Sequence, residues 1–417
     1  MIKTNRKSET SRLLRAYYLL FLGTWFLLGA NVGFLYGQDL TLRQAQEKAQ
    51  QVNPRLQSLV QVVKAKRGAV RQADVGLNPS IGINAGNRVQ TATFVQELEY
   101  PGKRHTRMSA ARAEVEVAEA QRGVAALQIQ EEAARLFYEI LWGSRNVELL
   151  RQNLEVNDRF LQAARHKFEQ GFGSELDVIK GQVEVVRARR LLRRAQQAVV
   201  ASRNKLKTLL KIPLSHDLTL QGDLNGPGIG VIADPDSVIE QAVRSHPAMQ
   251  LRQAEVEAAG FRVEMARLAA KPNFAIDFEG GLEDKEAKAT VGVSLPLALW
   301  DKKKGARMEA VATQESRRYR LENTRDQIVQ KVTTAYQEYQ TALATVKLFD
   351  QTLLNKAKEA AEAAQQAFVT RGFRFLDLID AQRTYLDTML EYNRSLLSLR
   401  LAEVDLHIAA GQSIIRE

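Results

Sequence analysis

The sequence predicts a mainly α-helical chain with a small β part, built as a tandem repeat of long helical hairpins with two strands in each half. Three observations predict it. The nine prolines leave residues 102–212 and 297–417 free of Pro, and both stretches are rich in Ala, Gln, Glu, Lys, Arg and Leu, the composition of long uninterrupted helices. Short segments of two-residue alternation precede each stretch. The two halves of the chain also match block by block.

The repeat is legible at two offsets. Asn53-Pro54 corresponds to His246-Pro247, and Asn78-Pro79 to Lys271-Pro272, both 193 residues on. Further along the offset is 200: Tyr100 falls on Trp300, and Lys103-Arg104-x-x-Arg107-Met108 on Lys303-Lys304-x-x-Arg307-Met308. At the same 200-residue offset, Phe168…Leu176-Asp177-x-Ile179…Gln182 matches Phe368…Leu376-Asp377-x-Ile379…Gln382. The seven-residue difference places an insertion around Gly281–Lys288.

Residues 1–37 come first. Five Lys/Arg stand there against Glu9, and the apolar stretch Ala16–Tyr36 leads to a small residue at Gly37. That order is a secretory signal peptide. A transmembrane anchor is the alternative, but Gly29, Asn31 and Gly33 dilute the apolar stretch. Removing 1–37 takes the net charge from +11 to +7, too small a bias to call for nucleic acid.

The first repeat is expected over 38–211, a Pro/Gly-rich connector over 212–236, the second repeat over 237–411 and a short tail over 412–417. Each repeat opens with a helix, 41–76 and 235–270, which Pro79 and Pro272 end. Strands follow within 79–99 and 272–297. A helix of about 68 residues comes next, near 102–169 and 303–370, roughly 100 Å long at 1.5 Å per residue. A Gly turn closes it, Gly171-Phe172-Gly173 in one half and Arg371-Gly372-Phe373 in the other. Returning helices run over 174–211 and 374–411, with Gly411 as a C-terminal stop. Leu150, Leu154, Asn157, Leu161, Ala164 and Phe168 keep coiled-coil spacing, repeated by Leu354, Ala357, Ala361, Ala364 and Phe368.

The strands point to their solvent. Phe274, Ile276 and Phe278 alternate with Ala275, Asp277 and Glu279, and Val291, Val293 and Leu295 with Thr290, Gly292 and Ser294. The pattern fits a membrane barrel wall, apolar toward lipid and polar toward a lumen. Four strands cannot close a barrel, and an open edge in lipid leaves backbone groups unsatisfied. The chain must then oligomerise, and three copies would supply 12 strands. Tyr100 and Trp300 stand at the strand-to-helix junction, where an aromatic girdle belongs. Lys103, Arg104, Lys303 and Lys304 lie beside them, placed to meet headgroup phosphates. The competing reading is a soluble periplasmic coiled-coil scaffold in which the strands form a small packed sheet.

These features resemble the TolC-like outer-membrane efflux family, and more closely its heavy-metal-efflux (CzcC-type) branch. The residues that carry the resemblance run from Leu42…Ala45…Asn53-Pro54 through Glu99-Tyr100-Pro101-Gly102-Lys103-Arg104 and Gly171…Leu176-Asp177-Val178. They end on Gly372…Leu376-Asp377-Leu378-Ile379-Asp380-Ala381-Gln382. The resemblance implies a homotrimer in the outer membrane of a Gram-negative bacterium, with a 12-stranded β-barrel continued by a periplasmic α-barrel. It implies a passive exit duct in a tripartite efflux system, with metal cations among the candidate substrates. The Gly171, Gly173 and Gly372 tips would dock a periplasmic adaptor protein joined to an inner-membrane pump. Asp377 and Asp380, with Asp177 from the first half, would narrow the periplasmic entrance as rings of negative charge. Lys180 stands where the first half would carry its second acid. Plain acids at a helix N-terminus are the structural alternative.

Nothing in the sequence points to an enzyme, a cofactor or a resident metal. The absence of Cys excludes thiolate sites and an acylated N-terminal anchor. The five His form no ligand pair, and Gly226-x-Gly228-x-Gly230 lies in the connector without the strand–turn–helix context of a nucleotide site. Arg189-Arg190 and Arg193-Arg194 make a basic helix face without the aromatic interleaving of a nucleic-acid surface.

Overall fold

A computed structural model describes residues 40–226, 234–349, 351–370 and 374–412. The expected leader, part of the connector, Gly372 and the end of the tail lie outside the described residues. The chain divides into Met1–Leu40 and Thr41–Glu417, and the second unit carries the architecture below.

Each half starts with two helices split at a Pro. Helix α1 (Leu42–Val52) begins with a capping box: the Thr41 hydroxyl accepts from the Gln44 N–H at 3.3 Å, and the Gln44 side chain accepts from the Thr41 N–H at 3.0 Å. Asn53, extended because it precedes Pro, ends α1 and caps α2 (Pro54–Ala73) through its side chain. The second half repeats the device. α5 (Pro235–Ser245) ends at His246, whose Nδ1 accepts from the Ala248 N–H at 3.0 Å to cap α6 (Pro247–Ala269).

The four strands are β1 (Ser80–Ala85), β2 (Val89–Leu98), β3 (Phe274–Glu283) and β4 (Glu286–Ser294). They form one antiparallel sheet in the order β1-β2-β3-β4. β2 and β3, from different halves, pair from Val89↔Glu283 to Leu98↔Phe274. Asp284 and Lys285 both have positive φ, 48° and 70°, the two-residue turn that matches strand twist. The second-half strands are 10 and 9 residues long, whereas β1 has only 6. The extra residues of the second half therefore lengthen its hairpin.

The first long helix, α3 (Lys103–Glu169), is continuous over 67 residues, and α4 (Glu175–Leu209) returns along it. The expected second long helix is broken. α7 (Lys304–Leu348) ends where Phe349 leaves helical geometry at ψ 66°, and α8 (Gln351–Thr370) resumes beyond. No Gly or Pro marks that place. The Phe349 ring packs 5.8 Å from that of Tyr392 on the returning helix α9 (Phe375–Ala409).

Helix α3 is the central post, packing on α1, α2, α4, α6 and α9. The core is divided into patches. Leu149 and Leu150 meet Leu386, and α5, α7 and α9 share Val238, Ala242, Ile328, Val332 and Leu406. Buried amides interrupt the seam: Asn393 donates to Asn146 at 2.9 Å, and Asn157 donates to Asn153. Such polar layers specify register at some cost in stability. Residues of the connector strap this bundle. Leu218 and Leu224 are buried, and Arg400, itself buried and paired with Glu403 at 2.8 Å, donates to the Leu224 and Gly226 carbonyls.

Candidate functional site: the open sheet and the helical tips

The sheet sorts its side chains by face. In register across it stand Ile81, Phe94, Phe278 and Val291. Ile83 and Val293 share that face, and all six are exposed. The other face carries Thr91, Thr93, Glu97, Asp277, Glu279, Thr290 and Ser294. Among the described residues no helix packs as a layer on either face. β1 and β4 each leave one edge unpaired. In water such an exposed apolar face and two free edges are a liability. Among the described residues no helix is long and apolar enough to cross a membrane.

The strand-to-helix junctions differ between the halves. Tyr100 is 37% exposed, and its N–H donates to the Asn273 side chain at 3.1 Å. Lys103 Nζ donates to the same oxygen at 2.7 Å, and Arg104 pairs with Asp74 at 2.9 Å. Lys103 and Arg104 thus have partners within the protein, which competes with the phosphate contact expected of them. Trp300 is 92% exposed. Lys303, left-handed at φ 54°, pairs with Asp301, while Lys304 starts α7 exposed.

At the first tip Gly171 takes φ +79°. The Phe172 N–H then reaches back to the Lys167 carbonyl at 2.9 Å, closing the C-terminus of α3. A Cβ on Gly173 would stand 2.7 Å from the Phe168 nitrogen, so no side chain fits there. Ser174 caps α4 by accepting from the Leu176 N–H at 3.1 Å.

The tips of both halves line one open cleft of about 570 Å³. Lys167, Gly173, Asp177 and Lys180 come from the first half, and Phe368, Arg374 and Phe375 from the second. Lys167 crosses between the halves: it donates to the Phe368 carbonyl and sits 4.0 Å from that ring's centre. Asp377 is not a free acid. Arg374 donates to both its oxygens at 3.0 and 3.2 Å. Asp380, one turn on, is exposed. The sequence reading missed Arg374 and Lys167, although an Arg three residues before Asp377 was a signal for the pair. Asp177, Asp377 and Asp380 therefore share the tips with Lys167, Lys180 and Arg374.

The chain is a mainly helical protomer with a two-faced, open-edged sheet. The outer membrane efflux protein family model matches residues 45–210 and 238–412, and the chain belongs to that family. It is an outer-membrane efflux channel of the kind that serves tripartite systems, and not an enzyme. It is 25% identical over 361 residues to the cobalt-zinc-cadmium resistance protein CzcC of Cupriavidus metallidurans, covering 85% of each chain. Its fold is similar to that of the outer-membrane channel OprN, with a TM-score of 0.75 at 18% identity over 90% of this chain and 91% of that one. It is also similar to the outer membrane protein VceC of Vibrio cholerae, with a TM-score of 0.72 at 18% identity over 89% and 96%.

Proposed function

We propose that three copies of the chain close a 12-stranded barrel in the outer membrane and form a passive exit duct. The carrying observation is the four-stranded sheet with one exposed apolar face, one polar face and two unpaired edges. In hydrocarbon each unpaired backbone group costs several kcal/mol, so closure with further copies is the arrangement that satisfies both the face and the edges. The long helices continue the barrel into the periplasm, and the Gly171, Gly173 and Gly372 tips meet a periplasmic adaptor linked to an inner-membrane pump. Tyr100, Trp300 and Lys304 lie at the lipid interface.

The name of the Cupriavidus relative supports metal cations as substrates. The acids of the tips support it more weakly, because Arg374 and the two lysines offset them. Asp377, Asp380 and Asp177 line the periplasmic entrance in this reading. The soluble scaffold alternative loses its support with membership of the efflux family.

The test is the mass of full-length protein extracted from membranes. A detergent-dependent particle of three chains supports the duct, and a monomer found in the soluble fraction overturns it. Loss of zinc, cobalt or cadmium tolerance in a strain lacking the gene tests the substrate class separately.

A further inference from the structure

The seam inside the sheet is a template for the one it leaves open. β2 and β3 join the two halves with Leu98↔Phe274, Gln96↔Ile276 and Phe94↔Phe278 opposite one another. The repeat lays β3 on β1 at an offset of 193, Pro272 on Pro79 and Ile276 on Ile83. It lays β4 on β2 at 199, Thr290 on Thr91 and Leu297 on Leu98. The offset of 200 seen further along cannot hold within the strands, because it would move Val291 and Val293 off the face of Ala92 and Phe94, whereas the neighbouring 199 keeps them on it. The offset returns to 200 at Trp300.

A second feature marks the same place. β4 ends at Ser294, opposite Ala275. Leu295 and Leu297 follow, exposed and outside any strand. Their counterparts Gln96 and Leu98 belong to β2.

We propose that β4 continues through Leu297 when copies meet, and pairs antiparallel with β1 of a second copy in the register Leu297↔Ile81, Leu295↔Ile83 and Val293↔Ala85. All three pairs lie on the face of Ile81, Phe94, Phe278 and Val291, so the apolar band crosses the seam unbroken. A slip of one residue would turn Leu295 and Leu297 to the polar side. Pro296 comes opposite Gly82, the one residue of β1 without a side chain. The proposal rests on the barrel reading above and adds the seam and its register.

The chain has no Cys, so engineered pairs report alone. Residues opposite one another in an antiparallel pair have Cα atoms about 4.5–5.5 Å apart, within disulfide reach. Full-length protein in outer membranes is oxidised and run on non-reducing gels. The expected result is two- and three-chain bands, reversed by reductant, for Ile83→Cys with Leu295→Cys and for Asn84→Cys with Ser294→Cys. Ile83→Cys with Ser294→Cys, on opposite faces, stays at one chain. Bands from Ile81→Cys with Leu295→Cys instead overturn the register and leave the barrel. No band from any pair, in a particle of three-chain mass, overturns the seam. A one-chain mass in detergent means that the barrel reading itself has failed.

Discussion

The two halves share an ancestry in sequence but not an environment. α3 is continuous and surrounded by partners from both halves, whereas the second-half helix is broken at Phe349, and α7 packs on α5, α6 and α9, all of the second half. Phe368 is 4% exposed, yet its counterpart Phe168 is 45% exposed. The first junction is tied down through Asn273 and Asp74, and the second leaves Trp300 open. Even the ion pairs swap sides. Glu114 on α3 takes Lys66 and Arg262, while in the second half the acid is Glu255 on α6, which takes Arg252 and Arg317. The duplication preserved the path of the chain, and each copy of the repeat then adapted to different neighbours.

Truncating the paired phenylalanines separates the two environments by the widest margin. Phe368→Ala removes a buried ring from a cluster with Phe160, Phe375 and Leu378 and should cost roughly 3–5 kcal/mol. Phe168→Ala should cost less than half of that. Thermal loss of helical circular dichroism in detergent compares the two, and equal losses would mean that assembly buries Phe168 as deeply. At the first tip, Gly173→Val forces a backbone shift and should cost about 1–3 kcal/mol, read as faster proteolysis at the tip.

A smaller effect concerns charge. Arg374→Ala releases Asp377 and should raise cation over anion permeability in a planar bilayer, whereas Asp380→Asn should lower it. No change in either variant would remove these acids from the conduction path.

The smallest effect is pH-dependent. Burial opposes ionisation of Glu114, but the hydrogen bond from Lys66 and the charges of Arg262 and Lys66 outweigh it and hold the carboxyl below its ordinary value. A folded-state pKa below the unfolded one gives stability that is present above the ordinary carboxylate range and lost as pH falls through the folded value. Glu114 is partly exposed, so the contribution is at most about 1 kcal/mol. Glu114→Gln should melt earlier than the wild type at neutral pH, and the gap should close in acid.

Much of this was legible in the sequence because it follows from backbone chemistry. The Asn53-Pro54 and His246-Pro247 breaks, the Gly171 turn and the alternation of Phe274–Phe278 depend on local rules. The break at Phe349 was not legible, because it has no Gly or Pro and accompanies packing on Tyr392, far away in sequence. At the tips, Asp177, Asp377, Asp380 and Lys180 were read from the sequence, and Lys167 and Arg374 were not. That Lys167 reaches Phe368 is a tertiary fact, whereas the Arg374–Asp377 pair was local and was overlooked. Lys103 and Arg104 were placed at the right junction, but the residues they bind, Asn273 and Asp74, could be found only once the strands were in register.

An arginine on each face of β4 distinguishes a lipid-facing wall from a packed sheet. Val291→Arg puts a charge on the apolar face, and Thr290→Arg puts the same charge one residue away on the polar face. If the apolar face meets lipid, Val291→Arg should cost roughly 2–4 kcal/mol of membrane stability and sharply reduce heat-resistant trimer in outer membranes, while Thr290→Arg assembles close to the wild-type level. Equal assembly of the two variants would contradict a lipid-facing wall.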